Sequence, residues 1–321
     1  MLFSKIQEIN KIIPTAKIAK IDNLLPRLCT EEMNTLYPLT GEELLQQMNE
    51  DYDAMKDELW EEKERTDEDR MKMMIIRMAQ EVILYMYLAN NSAILQSSLN
   101  IGGGWNSAST ENYEALDDKE NTRLDRDLWN CAKRAKENLL LLLEMDAKTN
   151  KVYTEKWKNS NSYYMHENLL FSSAADMHPM FINLGDCPHL NFQKYISLIN
   201  DCQDGYIAGA IGEKTMQQII RNKTEKNTGE NEGVWNNLSR HVKTALANFI
   251  QYEHDGAKHE HLKNRGEAQL TLARRILTDN YSIFKDFLVD TPLYRDEESV
   301  TDDKKKEGKK KKYGTVFSLL N

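Results

Sequence analysis

The residues best suited to chemistry lie in one short stretch, His254-Asp255-Gly256-Ala257-Lys258-His259-Glu260-His261. Imidazoles and carboxylates spaced so closely could chelate a divalent ion, with His254, His259 and His261 serving a metal-dependent hydrolase. Two features oppose that reading. His259 and His261 are two residues apart and point to different sides of a helix. Gly256 and Lys258 make the stretch read as a polar turn between two helices. His178, Cys187 and His189 form a second set, but no spacing rule brings them together. Gly102-Gly103-Gly104 suggests a phosphate cradle, yet a P-loop needs a strand before it and Gly-Lys-Ser/Thr after it. Neither is present, so this stretch reads as a surface loop. No GxSxG, HExxH, kinase set or nucleotide fingerprint occurs. The expectation is a chain with no catalytic, cofactor-binding or metal-binding residue, not an enzyme.

The elements around these residues are helical. Gly41-Glu42-Glu43-Leu44-Leu45-Gln46-Gln47-Met48 returns as Gly212-Glu213-Lys214-Thr215-Met216-Gln217-Gln218-Ile219, 171 residues later. Four identities in eight are no better than accident, so the flanks must decide. At the same interval Leu25, Leu28 and Leu36 match Ile196, Ile199 and Ile207, the spacing of one helix face. Pro26 suits a first helical turn, and Pro38 is expected beyond that helix's end. Thr40-Gly41-Glu42-Glu43 reads as a capping box opening the next helix, with Thr40 at the N-cap. After a polar gap each half continues into a long amphipathic helix. One carries Met71, Met74, Ile75, Met78, Ala79, Val82, Tyr85 and Met86; the other carries Trp235, Leu238, Val242, Ala245, Leu246 and Phe249. The order recurs, which predicts a duplicated helical unit with Gly41, Glu42, Gly212 and Glu213 at its corners.

Between the halves, Leu124, Leu128, Ala132, Ala135, Leu139 and Leu142 form a heptad-like seam over about residues 120–145. Its five consecutive leucines, Leu139 to Leu143, must be covered on several sides. Leu270, Ala273, Ile276, Leu277, Phe284, Phe287 and Leu288 predict a last helix with one apolar face. The acidic run Asp51 to Arg70 reads as a solvated helix with pairs such as Glu61 with Arg65, or more sharply as the lining of a channel.

Composition agrees. With 40% apolar and 29% charged residues and only 6 prolines, the 321-residue chain is too poor in turn residues for a strand-rich fold. No apolar run approaches the roughly 20 residues that span a bilayer, and residues 1–5 lack signal-peptide features. The chain is therefore expected to stay where it is made. Four cysteines without CxxC or metal spacing read as reduced thiols. A net charge of −9 argues against tight wrapping of nucleic acid, though not against a protein that DNA merely passes. Residues 295–312 are nearly devoid of apolar side chains and rich in lysine, a composition that cannot order itself. Tyr313, Val316, Phe317, Leu319 and Leu320 then restore apolar character, as in a charged tether carrying a docking peptide.

Trp157-x-Asn159-Ser160-x-Ser162-Tyr163-Tyr164, leading into Leu170-Phe171-Ser172-Ser173-Ala174-Ala175-Asp176-Met177, resembles a family found in phages and prophages of Bacteroidetes. So do the corners Tyr37 to Glu42 and Tyr206 to Glu213. The resemblance covers most of residues 1–290. The repeated unit is in turn similar to head–tail connector (adaptor) proteins of tailed phages, including ring proteins of crAss-like phages. That resemblance implies a structural virion protein at the head–tail junction, assembled in the bacterial host cytoplasm. Its implied partners are a portal protein, further tail or ring proteins, and copies of itself in a dodecameric ring, with no membrane. Genome DNA would pass through the lumen without sequence-specific binding. The matching docking arm would be Tyr313 to Leu320. Members of the family end soon after their last helix, whereas this chain inserts a lysine-rich tether that could instead meet DNA or an acidic neighbour.

The expected fold class is mainly α: a duplicated connector-like helical bundle with a helical linker region and an extended C-terminal arm. Residues 1–91 would form the first repeat, 92–189 a loop, long helix and linker, 190–290 the second repeat, and 291–321 the tether and arm. The rival readings are a non-viral helical protein–protein interaction module and the metal-dependent hydrolase.

Overall fold

The computed structural model describes residues 1–13, 24–61, 64–92, 118–160, 162–180, 184–224 and 231–294. The triple glycine and the arm residues Tyr313, Val316, Phe317, Leu319 and Leu320 lie outside the described residues. The chain is mainly α, with no strand among the described residues, as its composition predicts. Two compact units divide it. The first takes Met1–His166, Ser173–His178 and Ile182–Tyr195; the second takes Glu167–Ser172, Pro179–Phe181 and the chain from Ile196, counting described residues only.

The first unit opens with α1 (Ile6–Ile12) and α2 (Leu25–Glu31). A π-helical turn (Glu32–Leu36) runs on into the short α3 (Tyr37–Thr40). Gly41 reverses the chain into α4 (Glu42–Met55), and α5 (Asp67–Asn90) follows. Thr66 caps α5 by accepting the Asp69 N–H at 3.1 Å. α6 (Asp118–Lys148) pairs with α5, and α7 (Thr154–Lys158), α8 (Ala174–Met177) and α9 (Pro188–Phe192) complete the unit. The wholly buried Asp146 carboxylate sets the turn out of α6. It accepts the backbone N–H groups of Val152 at 2.9 Å and Tyr153 at 2.8 Å.

The second unit holds α10 (Ile196–Cys202), a π-helical turn (Gln203–Ala208) and α11 (Gly209–Ile211). Gly212 then turns the chain into α12 (Glu213–Thr224). α13 (Glu232–His254) pairs with α14 (Glu260–Asp279), and α15 (Tyr281–Phe284) leads to a 3-10 turn at Lys285–Phe287. α13 buries the face its sequence predicts, from Trp235 to Phe249.

Five expectations change. Pro38 does not follow a helix end. The π turn carries the helix through, with the Tyr37 N–H bonded to the Glu32 carbonyl, so Pro38 sits in the first turn of α3, where its missing N–H costs nothing. Thr40 does not cap α4, because it still belongs to α3; its hydroxyl donates back to the Leu36 carbonyl at 2.9 Å. The acidic run is not one helix. α4 stops at Met55, and Arg65 donates to the Glu58 carbonyl at 2.7 Å. α5 is buried far beyond one stripe, through Met73, Ile76, Ile83, Leu84 and Tyr87, while Met74 is 40% exposed. The last predicted helix likewise breaks at Asn280, between α14 and α15.

Candidate functional site

Gly41 and Gly212 occupy the same kind of position. Their backbones stand at φ 76°, ψ 172° and φ 88°, ψ 142°, conformations that side-chain-bearing residues rarely adopt. The Gly41 N–H bonds to the Tyr37 carbonyl and the Gly212 N–H to the Ala208 carbonyl, each at 2.9 Å. A Cβ on Gly41 would run into the Ser160 side chain, and one on Gly212 into Thr291. Glu42 and Glu213 are exposed at the first position of the following helix, where the helix dipole favours a negative charge.

Ser160 and Thr291 are themselves placed alike. Each hydroxyl donates to the carbonyl three residues back, Trp157 at 2.7 Å and Leu288 at 2.8 Å. Trp157 and Leu288 are fully buried, and so, four residues before each, are Tyr153 and Phe284. A tyrosine three residues on closes both turns: Tyr163 N–H to Ser160 at 3.2 Å, Tyr294 N–H to Thr291 at 3.1 Å. The side chains just ahead of these turns reach the corner helix. Asn159 donates to Glu43 at 3.0 Å, and Lys214 pairs with Asp290 at 2.7 Å. Glu43 and Lys214 are matched residues of the two corner octapeptides, so one contact is kept with different chemistry.

A third match was not anticipated. The tripeptide Leu2-Phe3-Ser4 recurs as Leu170-Phe171-Ser172, and all four apolar side chains are buried. The Leu2 N–H bonds to the Glu32 carboxylate at 2.9 Å, and the Leu170 N–H to the Gln203 carboxamide at 2.7 Å. Glu32 and Gln203 are the first residues of the two π turns, and both are buried. In the first unit Gln80 also donates to the Leu2 carbonyl at 2.5 Å. The first unit thus holds this segment by its backbone as well as by its side chains.

The first unit also carries a second polar centre, on α6. The buried His189 places Nδ1 2.5 Å from Glu137 Oε1 and Nε2 3.5 Å from Glu144 Oε2. Glu137 also accepts the backbone N–H groups of His189 and Leu190, each at 3.0 Å. Glu144 accepts from Lys148 at 2.6 Å, from the Tyr164 hydroxyl at 3.2 Å and from the Ala175 N–H at 3.2 Å. Burial works against charge on Glu137, but the His189 ring and the two N–H donors outweigh it and hold the carboxyl below its ordinary value. Burial, reinforced by Glu144, pushes the Tyr164 hydroxyl far up. These bonds pin α9 and the chain around Tyr164 and Ala175 to α6, on which Leu140 and Leu143 are also fully buried. His189 was visible in the sequence, but its partners Glu137 and Glu144 sit among ordinary helix charges.

The predicted histidine set does not gather. His254 pairs with its neighbour Asp255 at 3.1 Å, and the exposed His259 and His261 rings meet edge to face at 5.6 Å. Among the described residues no three His, Cys, Asp or Glu side chains are placed to hold a metal ion. Cys187 and His189 fall in the first unit, with Cys187 partly exposed. No helix of the described residues is long and apolar enough to cross a membrane. No protein-family model, curated protein or solved structure matches the chain.

Proposed function

We propose that this protein is an assembly component without catalytic chemistry, built from two descendants of one duplicated module. The observation that carries the reading is the threefold match between units: a Leu-Phe-Ser segment held by the first π-turn residue, a glycine corner, and a Ser/Thr turn seated on that glycine. Matched contacts at three separate places in sequence are hard to attribute to chance packing of helices. Their content is packing and backbone capping, which builds a surface rather than a reaction centre.

Among assembly roles we propose a head–tail connector, a ring beneath a phage portal around the DNA exit. The support is the motif resemblance at Tyr37 to Glu42, Tyr206 to Glu213 and Trp157 to Met177. The net charge of −9 adds to it, since like charge lets DNA slide without sticking. In this reading Tyr313, Val316, Phe317, Leu319 and Leu320 dock on the portal or on a neighbouring subunit, and the ring is dodecameric. Light scattering of the purified chain, alone and mixed with a phage portal protein, tests the proposal. A defined ring on the portal is expected. A strict monomer in both conditions would favour a monomeric interaction module instead.

A further inference from the structure

The charge of the chain is unevenly placed. Residues 42–69 carry 13 Asp and Glu against 3 Lys and Arg, a balance of −10 within a total of −9, so the rest of the chain is positive by one. α6 presents the opposite sign. Lys119, Arg123, Arg126, Lys133 and Arg134 are all exposed and, at about 100° per residue, fall on one face of that helix. Trp129 lies on the same face, 37% exposed, between the first three cations and the last two. By the same spacing no Asp or Glu between positions 119 and 134 shares the face; Asp125 falls beyond one side of it and Asp127 at the other edge. Lys119, Thr122, Arg123 and Arg126 line an open cleft. We propose that this face binds single-stranded nucleic acid, DNA or RNA, without regard to sequence. The cations take phosphates, and Trp129 stacks on a base.

The spacing suits a strand. Positions 119 to 134 cover about 22 Å of helix, so the cations meet a row of charges and not a single ion. A nucleic-acid strand offers such a row, with planar bases between the phosphates for the indole to stack on. An acidic peptide offers the charges but no plane, so the exposed tryptophan separates the two partners. Asp127 is a weak competitor. It lies 3.8 Å from Arg123 and 4.0 Å from Arg126, long exposed pairs that contribute little. The inference goes beyond the connector reading, in which DNA passes without sticking, and does not rest on it.

The acidic run does not oppose the face, because the fold puts it at the far end of both helices. The Ser92 hydroxyl donates to Asp125 at 2.7 Å, which sets the C-terminal end of α5 beside the basic face. Asp67, Glu68 and Asp69 open α5, and the helix from Asp69 to Asn90 separates them from that end by about 32 Å. Asp51 of α4 accepts the Tyr153 hydroxyl at 2.8 Å, beyond the C-terminal end of α6. Separations of this size are several Debye lengths at physiological salt, about 8 Å each, so phosphate at the face is screened from these carboxylates.

The test uses the full chain and the fluorescence anisotropy of labelled oligodeoxythymidine and oligouridine, each about 15 nucleotides long. Saturable binding of either strand is expected, and the tighter of the two identifies the sugar. Five phosphate contacts predict roughly a hundredfold loss of affinity between about 50 and 200 mM salt. Arg123→Glu combined with Arg126→Glu should weaken binding at least tenfold with an unchanged melting temperature, since both side chains are exposed. Trp129→Ala should weaken it about five- to hundredfold. Arg240→Glu combined with Arg275→Glu, exposed on α13 and α14, should bind as the parent does. No saturable binding at low salt, equal loss in the two charge-reversed pairs, or indifference to Trp129→Ala would each overturn the proposal. So would competition by polyglutamate as strong as by the strand itself. Portal binding is scored separately. A chain that holds strands yet ignores the portal sinks the connector reading alone, and a portal-bound ring that ignores strands sinks this one alone.

Discussion

At the scale of single residues, the two corner glycines carry the most specific demand. Gly41→Ala and Gly212→Ala each force a side chain into a backbone conformation that costs about 1–3 kcal/mol, and push it against Ser160 or Thr291 for about 1–3 more. Each should lower the melting temperature by several degrees. Gly233→Ala is the control. It meets open space in α13 and should stabilise by up to about 1 kcal/mol. Glu137 gives a pH dependence. Its folded value lies below the ordinary 4.5, so its contribution is fully present above that value and is lost as pH falls through the folded one. Urea titrations of Glu137→Gln should therefore show a flatter acid limb than the parent, with lower stability at neutral pH. Cysteines offer a third check. Burial, with Glu253 and Asp201 nearby, pushes the Cys202 thiol up to about 12, whereas Cys29 is exposed. Mass spectrometry after brief alkylation near neutral pH should find Cys29 labelled and Cys202 untouched until the chain unfolds.

Whole elements were legible where one face decides the packing. α13 is a long helix with a single apolar stripe, and sequence periodicity named its buried residues from Trp235 to Phe249. α5 was less legible because it is buried well beyond one face, and a single apolar stripe does not describe such a helix. The π turns were not legible at all. Their extra residue per turn leaves no compositional mark, and Pro38 argued wrongly for a helix end. The leucine run of α6 serves more than one neighbour: α6 packs on α5 and also on α7 and α9, and Leu139, Leu140, Leu142 and Leu143 are buried. Leu143→Ala should cost about 2–5 kcal/mol and expose the amides of α9 to hydrogen exchange, while Arg274→Ala at an exposed position of α14 should do neither.

For the molecule as a whole, the sequence spoke through one eight-residue echo and missed the shorter ones beside it. Leu-Phe-Ser is too brief to notice, and Ser160 shares nothing with Thr291 except a β-hydroxyl in the same turn. Equivalence of that kind is spatial; it survives when residue identities do not. The candidate site was thus half visible, its corners in the sequence and its clasps only in the structure.

The π turns also fix how these corners can change over time. From Leu25 to Met48 and from Ile196 to Ile219 the two halves stay in step without one gap, although the intervals elsewhere in the chain differ. Removing one residue from either π turn would tighten it to an α turn and swing everything beyond by about 100°. Gly41 would then leave Ser160, and Gly212 would leave Thr291. Away from the two glycines, substitution is therefore cheaper here than insertion or deletion. The two 24-residue segments should behave as interchangeable cassettes: a chain with them exchanged should still unfold cooperatively in a thermal melt, whereas a single-residue deletion at Met33 or Asp204 should abolish the transition.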